Sequence, residues 1–212
     1  MTAHEEILAR VRRAKASADE TRPADYAHIP RPYNQRGGLD LEGRLRLLTE
    51  RLEDYDAVVY RCAVSELPSA IAKAMAARGK SSLVASPSLP SAWLPDESKI
   101  RRDYGLSHSD LDGSEGSLTG CAVAVANTGT IILTHEFGEA RRALTLIPDY
   151  HLCVVFAEQV VETVPEGLRR VGSRATAPIT TISGPSATAD IEMTRIKGVH
   201  GPRSFDVILV LS

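Results

Sequence analysis

The sequence predicts an α/β fold, a mainly parallel sheet with helices on its faces. Three observations predict it. Residues 56–85 alternate strand, helix and strand, the order a parallel pair requires because its two strands are joined by a crossover. Residues 205–211 are a hydrophobic strand that ties the end of the chain into the sheet. Residues 121–134 read as two apolar strands flanking Asn127-Thr128-Gly129, a β-hairpin in which Gly129 supplies a positive φ.

The elements follow in order. Residues 2–18 read as a helix, with a capping box at Thr2 and Glu5. Ile7, Leu8, Val11 and Ala14 share one face, and Arg10, Arg12, Arg13 and Lys15 make a solvated one. Residues 21–38 have no periodicity. Pro23, Pro30 and Pro32, with Gly37 and Gly38, make them an extended arm. Its Tyr26, His28, Tyr33 and arginines suit it to wrap the core or to join a second subunit as a homo-oligomer contact. Residues 39–52 form a helix with Leu41, Leu45, Leu48 and Leu52 on one stripe. The strand at 56–62 follows. Ser65 caps a helix running to about Arg78 and closed by Gly79, and 82–85 is the next strand. In the loop 86–95, Trp93 plugs a gap.

Residues 96–120 carry little pattern. Asp110, Asp112 and Glu115 lack the spacing of a calcium loop and read as solvated loop. Residues 135–142 form a polar loop of lid-like length, with paired Arg141 and Arg142. His151 reads as a structural residue at the mouth of a strand over 152–157. Residues 159–171 are helical, interrupted at Pro165.

Residues 177–182 are β-branched and extended. Gly184 and Pro185 then turn the chain. Ser186 or Thr188 caps a short helix with Asp190 and Glu192 in its first turn and Ala189, Met193 and Ile196 on its apolar face. Lys197 lies in the last turn and Gly198 closes it. A strand, a tight Gly/Ser/Thr turn and a helix N-terminus point backbone N–H groups outward and make an anion site.

Composition limits the function. At 212 residues the chain is one domain, with a helix and arm over 1–38 and a core over 39–212. A chain of this size buries roughly 70% of its unfolded surface. A formal net charge of −2 offers no basic surplus for nucleic acid or an anionic membrane. No apolar run approaches the ~20 residues of a membrane span, and the N-terminus lacks the pattern of a signal peptide. Cys62, Cys121 and Cys153 lie far apart in or beside apolar runs. Without a CxxC pair they read as buried thiols, with no metal and no cofactor held by this chain. Reduced cysteines fit the cytoplasm.

Several segments together resemble one family. They are Thr128-Gly-Thr-Ile-Ile-Leu133, Arg142 six residues before Pro148, His151, Ile182-Ser-Gly-Pro-Ser-x-Thr-Ala-Asp-Ile-Glu192 and Gly198-Val-His-Gly-Pro202. These are similar to the LutC/YkgG family, whose LUD domain is named for lactate utilization, and the resemblance spans 39–211. It implies a three-layer α/β/α domain like the NagB/RpiA sugar-phosphate isomerase and coenzyme A transferase-like superfamily, here with a β-hairpin insertion. That parallel order needs a further short strand within 100–105. It also implies a multi-subunit system oxidising L-lactate to pyruvate, with iron–sulfur proteins as the other subunits. The arm at 21–38 and the second arginine, Arg141, depart from the pattern.

Three readings of function follow. In the first, the chain is an accessory, ligand-binding subunit of L-lactate oxidation. Asn127, Thr128, Gly129, Thr130, Arg142, Ser183, Gly184, Pro185, Ser186 and Thr188 surround a small carboxylate or phosphate, to which Arg142 gives charge-assisted hydrogen bonds. In the second, it is a stand-alone enzyme on a sugar-phosphate, folate or thioester substrate, with Asp190, Glu192 and His200 as catalytic candidates. Asp190 and Glu192, two apart on a helix, would not face the same way. In the third, it is a scaffold for iron–sulfur subunits. If the strands ending at 182 and 211 run parallel in one sheet, His200 lies at the edge opposite the 183–190 turn. Sites of open sheets lie at the carboxyl ends of strands.

Overall fold

The computed structural model describes residues 2–16, 28–172, 178–189, 195–198 and 200–211. Two units divide the chain, up to Asn34 and from Gln35 onward. In the first, helix α1 (Ala3–Ala16) begins on the expected capping box. The Glu5 carboxylate accepts the Thr2 N–H at 2.7 Å, and the Glu5 N–H donates to the Thr2 hydroxyl at 3.3 Å. Part of the expected arm, 17–27, lies outside the described residues. Residues 30–40 hold no helix or strand.

The second unit is organised on a six-stranded parallel sheet. Its order is β1-β12-β7-β4-β2-β3, with β1 at Val58–Ala63, β2 at Leu83–Ala85, β3 at Ile100–Arg102, β4 at Ser117–Thr119, β7 at Tyr150–Phe156 and β12 at Ser204–Leu211. The last strand of the chain lies inside the sheet between β1 and β7, with Phe205 opposite His151 and Val207 opposite Cys153. A strand paired on both edges and covered on both faces reads as a continuous apolar run, which is what Val207 to Leu211 is, while Asp206 before it is buried against Arg78.

Side-chain alternation sends β7 and β12 to two cores. Leu152, Val154, Ile208 and Val210 meet Leu67, Ile71, Ala74 and Met75 of α3 (Leu67–Ala77). Cys153, Val155, Val207 and Leu209 meet Leu45, Leu48 and Leu52 of α2 (Leu41–Glu53) on the other face. Each such fully buried aliphatic side chain contributes about 1.5–3 kcal/mol. Asp40 starts α2 by accepting the Gly43 N–H at 2.8 Å.

The expected hairpin is part of a second sheet. β5 (Val123–Val125) and β6 (Thr130–Leu133) pair antiparallel, β9 (Thr180–Ile182) adds to β6, and β8 (Val160–Val161) runs parallel to β5. Ala124, Ala126, Ile131 and Val160 share the α2 core. Val123, Val125 and Ile132 face away, toward Val171 of α5 (Val164–Val171). One face of the parallel sheet is therefore covered by a helix and a small sheet together.

Several local expectations change. Ser65 sits in a short turn, and α3 starts after Glu66 with no side-chain cap. The short strand expected within 100–105 is β3, and the weakly patterned stretch 96–120 also holds β4 and α4 (His108–Asp112). Asp110 is spent on the start of α4, accepting the Ser107 N–H at 3.1 Å, and Glu115 accepts the Ser82 N–H at 3.1 Å. Residues 159–171 are β8 followed by α5. Pro165 sits in the first turn of α5, where its missing N–H costs nothing.

The largest change is the helix expected after Ser186. Instead β10 (Ala187–Ala189) and β11 (Arg195–Lys197) pair antiparallel, with Thr188 opposite Ile196. Three apolar positions at i, i+4 and i+7 do not outweigh a ladder that Gly198 (φ +82) extends, its N–H donating to the Ser186 carbonyl at 2.8 Å. With strands at 187–189 and 195–197 among the described residues, the turn after β9 opens a strand, and the expected helix-dipole anion site loses its basis.

Candidate functional site

Gly184 turns the chain out of β9 with φ +79. A Cβ at this position would stand 2.4 Å from the Tyr55 Cβ, so the turn lies directly on Tyr55 and only glycine fits. Ser186 follows and becomes a junction. Its N–H donates to the Pro202 carbonyl at 2.8 Å, its carbonyl accepts the Gly198 N–H at 2.8 Å, and its hydroxyl accepts the His200 N–H at 2.9 Å. The β10–β11 hairpin doubles the chain back, so the 183–186 turn and the 200–202 loop become one surface.

This surface closes a cleft of about 230 Å³ with Arg142, Thr145, His151 and Phe205. His151 and Phe205 are the second residues of β7 and β12, so the cleft lies at the amino ends of these parallel strands. That corrects the expectation of a site at carboxyl ends. The second sheet is the reason: β9 is not in the parallel sheet, and its carboxyl end delivers Ser183 to Ser186 to the opposite rim. The same fact brings His200 beside Ser186 rather than to a distant edge.

Arg142 stands in a short turn over Arg142–Thr145, its Nη1 donating to the Thr145 hydroxyl at 3.0 Å. Among the described residues it has no acidic partner. Its neighbour Arg141 is committed elsewhere: Nε and Nη2 donate to the Asp103 carboxylate at 2.6 and 3.1 Å, and Nη2 donates to the Leu106 carbonyl at 2.6 Å. Burial works to raise the Asp103 carboxyl. The Arg141 hydrogen bond and the N–H groups of Leu106 and Gly105 outweigh it and hold the carboxyl below its ordinary range. Nor is the 135–142 loop a free lid. Its Glu139 carboxylate is buried and accepts the His135 N–H at 2.8 Å, while the His135 ring bridges the Ala140 carbonyl at 2.6 Å and the Thr180 hydroxyl at 2.8 Å.

The hairpin residues reach this region through hydroxyls. Thr128 and Thr130 Oγ1 are 2.7 Å apart, and Thr130 Oγ1 is 2.8 Å from Ser183 Oγ. Asn127 and Thr128 themselves line another cleft, with Arg51, Asp54 and Tyr55. The Asn127 N–H is spent on the Glu162 carbonyl at 3.0 Å. Gly129, with φ +60, lies against Arg51. Thus Arg142, Ser183, Gly184, Pro185, Ser186 and His200 come together, Thr130 touches the rim with Thr128 bonded behind it, and Asn127 and Gly129 sit apart. Of Thr188 only the backbone is placed, and Asp190 and Glu192 lie outside the described residues.

Sequence reasoning missed the floor of the cleft. His151 is 1% exposed, its Nε2 lies 2.7 Å from Thr119 Oγ1, and its ring centroid is 5.2 Å from that of Phe205. Burial, with the Arg142 charge adding to it, pushes its pKa down to about 3, so the imidazole is neutral. A histidine alternating with Cys153 and Val155 along β7 marks it as inward-facing. Nothing local announces that a cleft opens beside it.

A description of the LUD domain matches residues 107–210, the stretch from α4 to β12 that builds the cleft. A "Lactate utilization protein C" of Deinococcus radiodurans is 45% identical over 183 residues, covering 84% of this chain and 85% of that protein. A protein of the same name from Shouchella clausii is 30% identical over 114 residues, 51% of this chain and 49% of the other. The Escherichia coli "Uncharacterized protein YkgG" is 33% identical over 84 residues, 37% of this chain and 36% of the other. A crystal structure of a DUF162 family protein from Deinococcus radiodurans superposes with a TM-score of 0.71 at 41% identity, covering 82% of this chain and 99% of that one.

Proposed function

This chain belongs to the LUD-domain family of lactate utilization protein C, and from that premise we propose that it is an anion-binding subunit of an L-lactate oxidation system. The ligand is a small carboxylate or phosphate held in the cleft between Arg142 and the Ser183–Ser186 turn. The names of its relatives support the pathway. Electron transfer is assigned to iron–sulfur partner subunits, since the three cysteines are single and scattered. The setting is the cytoplasm.

One observation carries the ligand reading. Arg142, without an acidic partner among the described residues, lines a cleft whose opposite rim is cross-linked through Ser186. A guanidinium there offers a planar fork to two oxygens of an anion. The neutral hydroxyls and backbone around it add hydrogen bonds without competing negative charge.

Thermal melting with L-lactate, pyruvate and inorganic phosphate tests the proposal. A ligand at one hundred times its Kd stabilises the chain by about 2.7 kcal/mol. The expected result is a rise in Tm with at least one of the three, abolished by Arg142→Ala. An unchanged Tm with all three at tens of millimolar overturns it.

A further inference from the structure

His151 is nearly sealed inside the protein, yet one of its nitrogens is unused. Nε2 is bonded to Thr119 Oγ1 at 2.7 Å, and among the described residues Nδ1 has no hydrogen-bond partner. Nδ1 is not entombed either. Among the described residues the one buried side-chain nitrogen or oxygen without a partner is Ser117 Oγ, and His151 lines the cleft. The free nitrogen therefore opens toward the space beside Arg142.

The direction of the Thr119 bond follows from satisfying both groups. Thr119 is fully buried, and its hydroxyl has no acceptor other than Nε2 among the described residues. Were Nε2 protonated, the Thr119 O–H would be left buried without an acceptor, a costly arrangement. The arrangement that satisfies both has Thr119 donating to Nε2, which puts the imidazole hydrogen on Nδ1. Phe205, tilted at 46° against the ring, keeps it in place.

We propose that His151, fixed by Thr119 as the neutral Nδ1–H tautomer, donates into the cleft and selects carboxylates that carry an oxygen on the adjacent carbon. The inference rests on the anion site proposed above: Arg142 takes the carboxylate, and Nδ1–H takes the keto or hydroxyl oxygen. Being neutral, the imidazole adds direction rather than charge, so it separates ligands that Arg142 alone treats alike. A ligand with a methylene at that place leaves a desolvated N–H unpaired, which weakens binding by about tenfold or more.

The test is calorimetric titration of the full chain with pyruvate, L-lactate and propionate. Pyruvate or L-lactate should bind at least about tenfold more tightly than propionate. His151→Phe should bring the ratio close to one, weakening pyruvate and L-lactate and relieving the penalty on propionate. Arg142→Ala should weaken all three together. A second measurement needs no variant: nitrogen NMR of the unaltered protein should show the His151 proton on Nδ1, with that resonance moving on addition of pyruvate and not of propionate. Equal affinities for the three acids, or a proton on Nε2, overturn the selection by His151 and leave the anion site standing. No binding of any of the three acids overturns this inference and leaves the anion site standing only if phosphate binds; no effect of Arg142→Ala overturns both.

Discussion

The Ser186 hydroxyl accepts the His200 N–H at 2.9 Å, joining two residues that lie 14 positions apart across the β10–β11 hairpin. With the Ser186 N–H on the Pro202 carbonyl, this bond holds the two loops of the cleft as one wall. Ser186→Ala removes the side-chain bond and keeps the backbone ones. It should cost about 0.5–1.5 kcal/mol of stability and weaken phosphate and pyruvate binding more than that. Melting and titration of the same variant compare the two losses.

Adjacent arginines should behave in opposite ways. Arg141 neutralises Asp103, whose side chain is 4% exposed, although Arg141 itself is 41% exposed. Arg141→Ala leaves a buried carboxylate uncompensated and should cost about 2 kcal/mol, less than a fully buried pair because water reaches the site. Arg142→Ala should cost under about 1 kcal/mol, since among the described residues its side chain bonds only to its own turn. Urea unfolding of both variants measures the difference.

His151 gives stability a pH dependence of known sign. Its pKa in the folded protein is about 3, against about 6.5 for an unfolded histidine. As pH falls through 6.5, the unfolded chain takes up a proton that the folded chain refuses. Stability is therefore lost between pH 6.5 and 3, on the order of 5 kcal/mol across the window. Denaturation midpoints taken from pH 8 to 4 should fall more steeply for the native protein than for His151→Gln.

Ser117 stands opposite His151 in the β4–β7 register, fully buried, with its Oγ unpartnered. Removing a buried hydroxyl that makes no bond relieves its desolvation cost. Ser117→Ala should stabilise the chain by about 1 kcal/mol, seen as a higher Tm with unchanged far-ultraviolet dichroism.

Gly184 admits no side chain. A methyl group there meets the Tyr55 Cβ and also strains the left-handed backbone. Gly184→Ala should cost roughly 2 kcal/mol or more and abolish anion binding, because the 183–186 turn must lift off. Paired melting and titration of the variant check both effects.

What the sequence determined by itself lies close in the chain or repeats along it. The Thr2–Glu5 cap, the Leu45–Leu48–Leu52 stripe, the β1–α3–β2 alternation, the Gly129 hairpin and the apolar final strand all follow from neighbours within a turn or from a period of two or four. The Ser183 to Ser186 turn followed from its glycine and proline, whereas Arg142 was singled out by the family resemblance. Tertiary structure alone decided which strands pair. It placed β9 in the small sheet, paired 187–189 with 195–197 where a helix was expected, and set His200 against Ser186. It also buried His151 between Thr119 and Phe205 and gave Arg141, but among the described residues not Arg142, an acid. Each of these depends on pairing between segments tens of residues apart. There the free energy comes from register and burial shared by both partners, a quantity no single stretch of sequence contains.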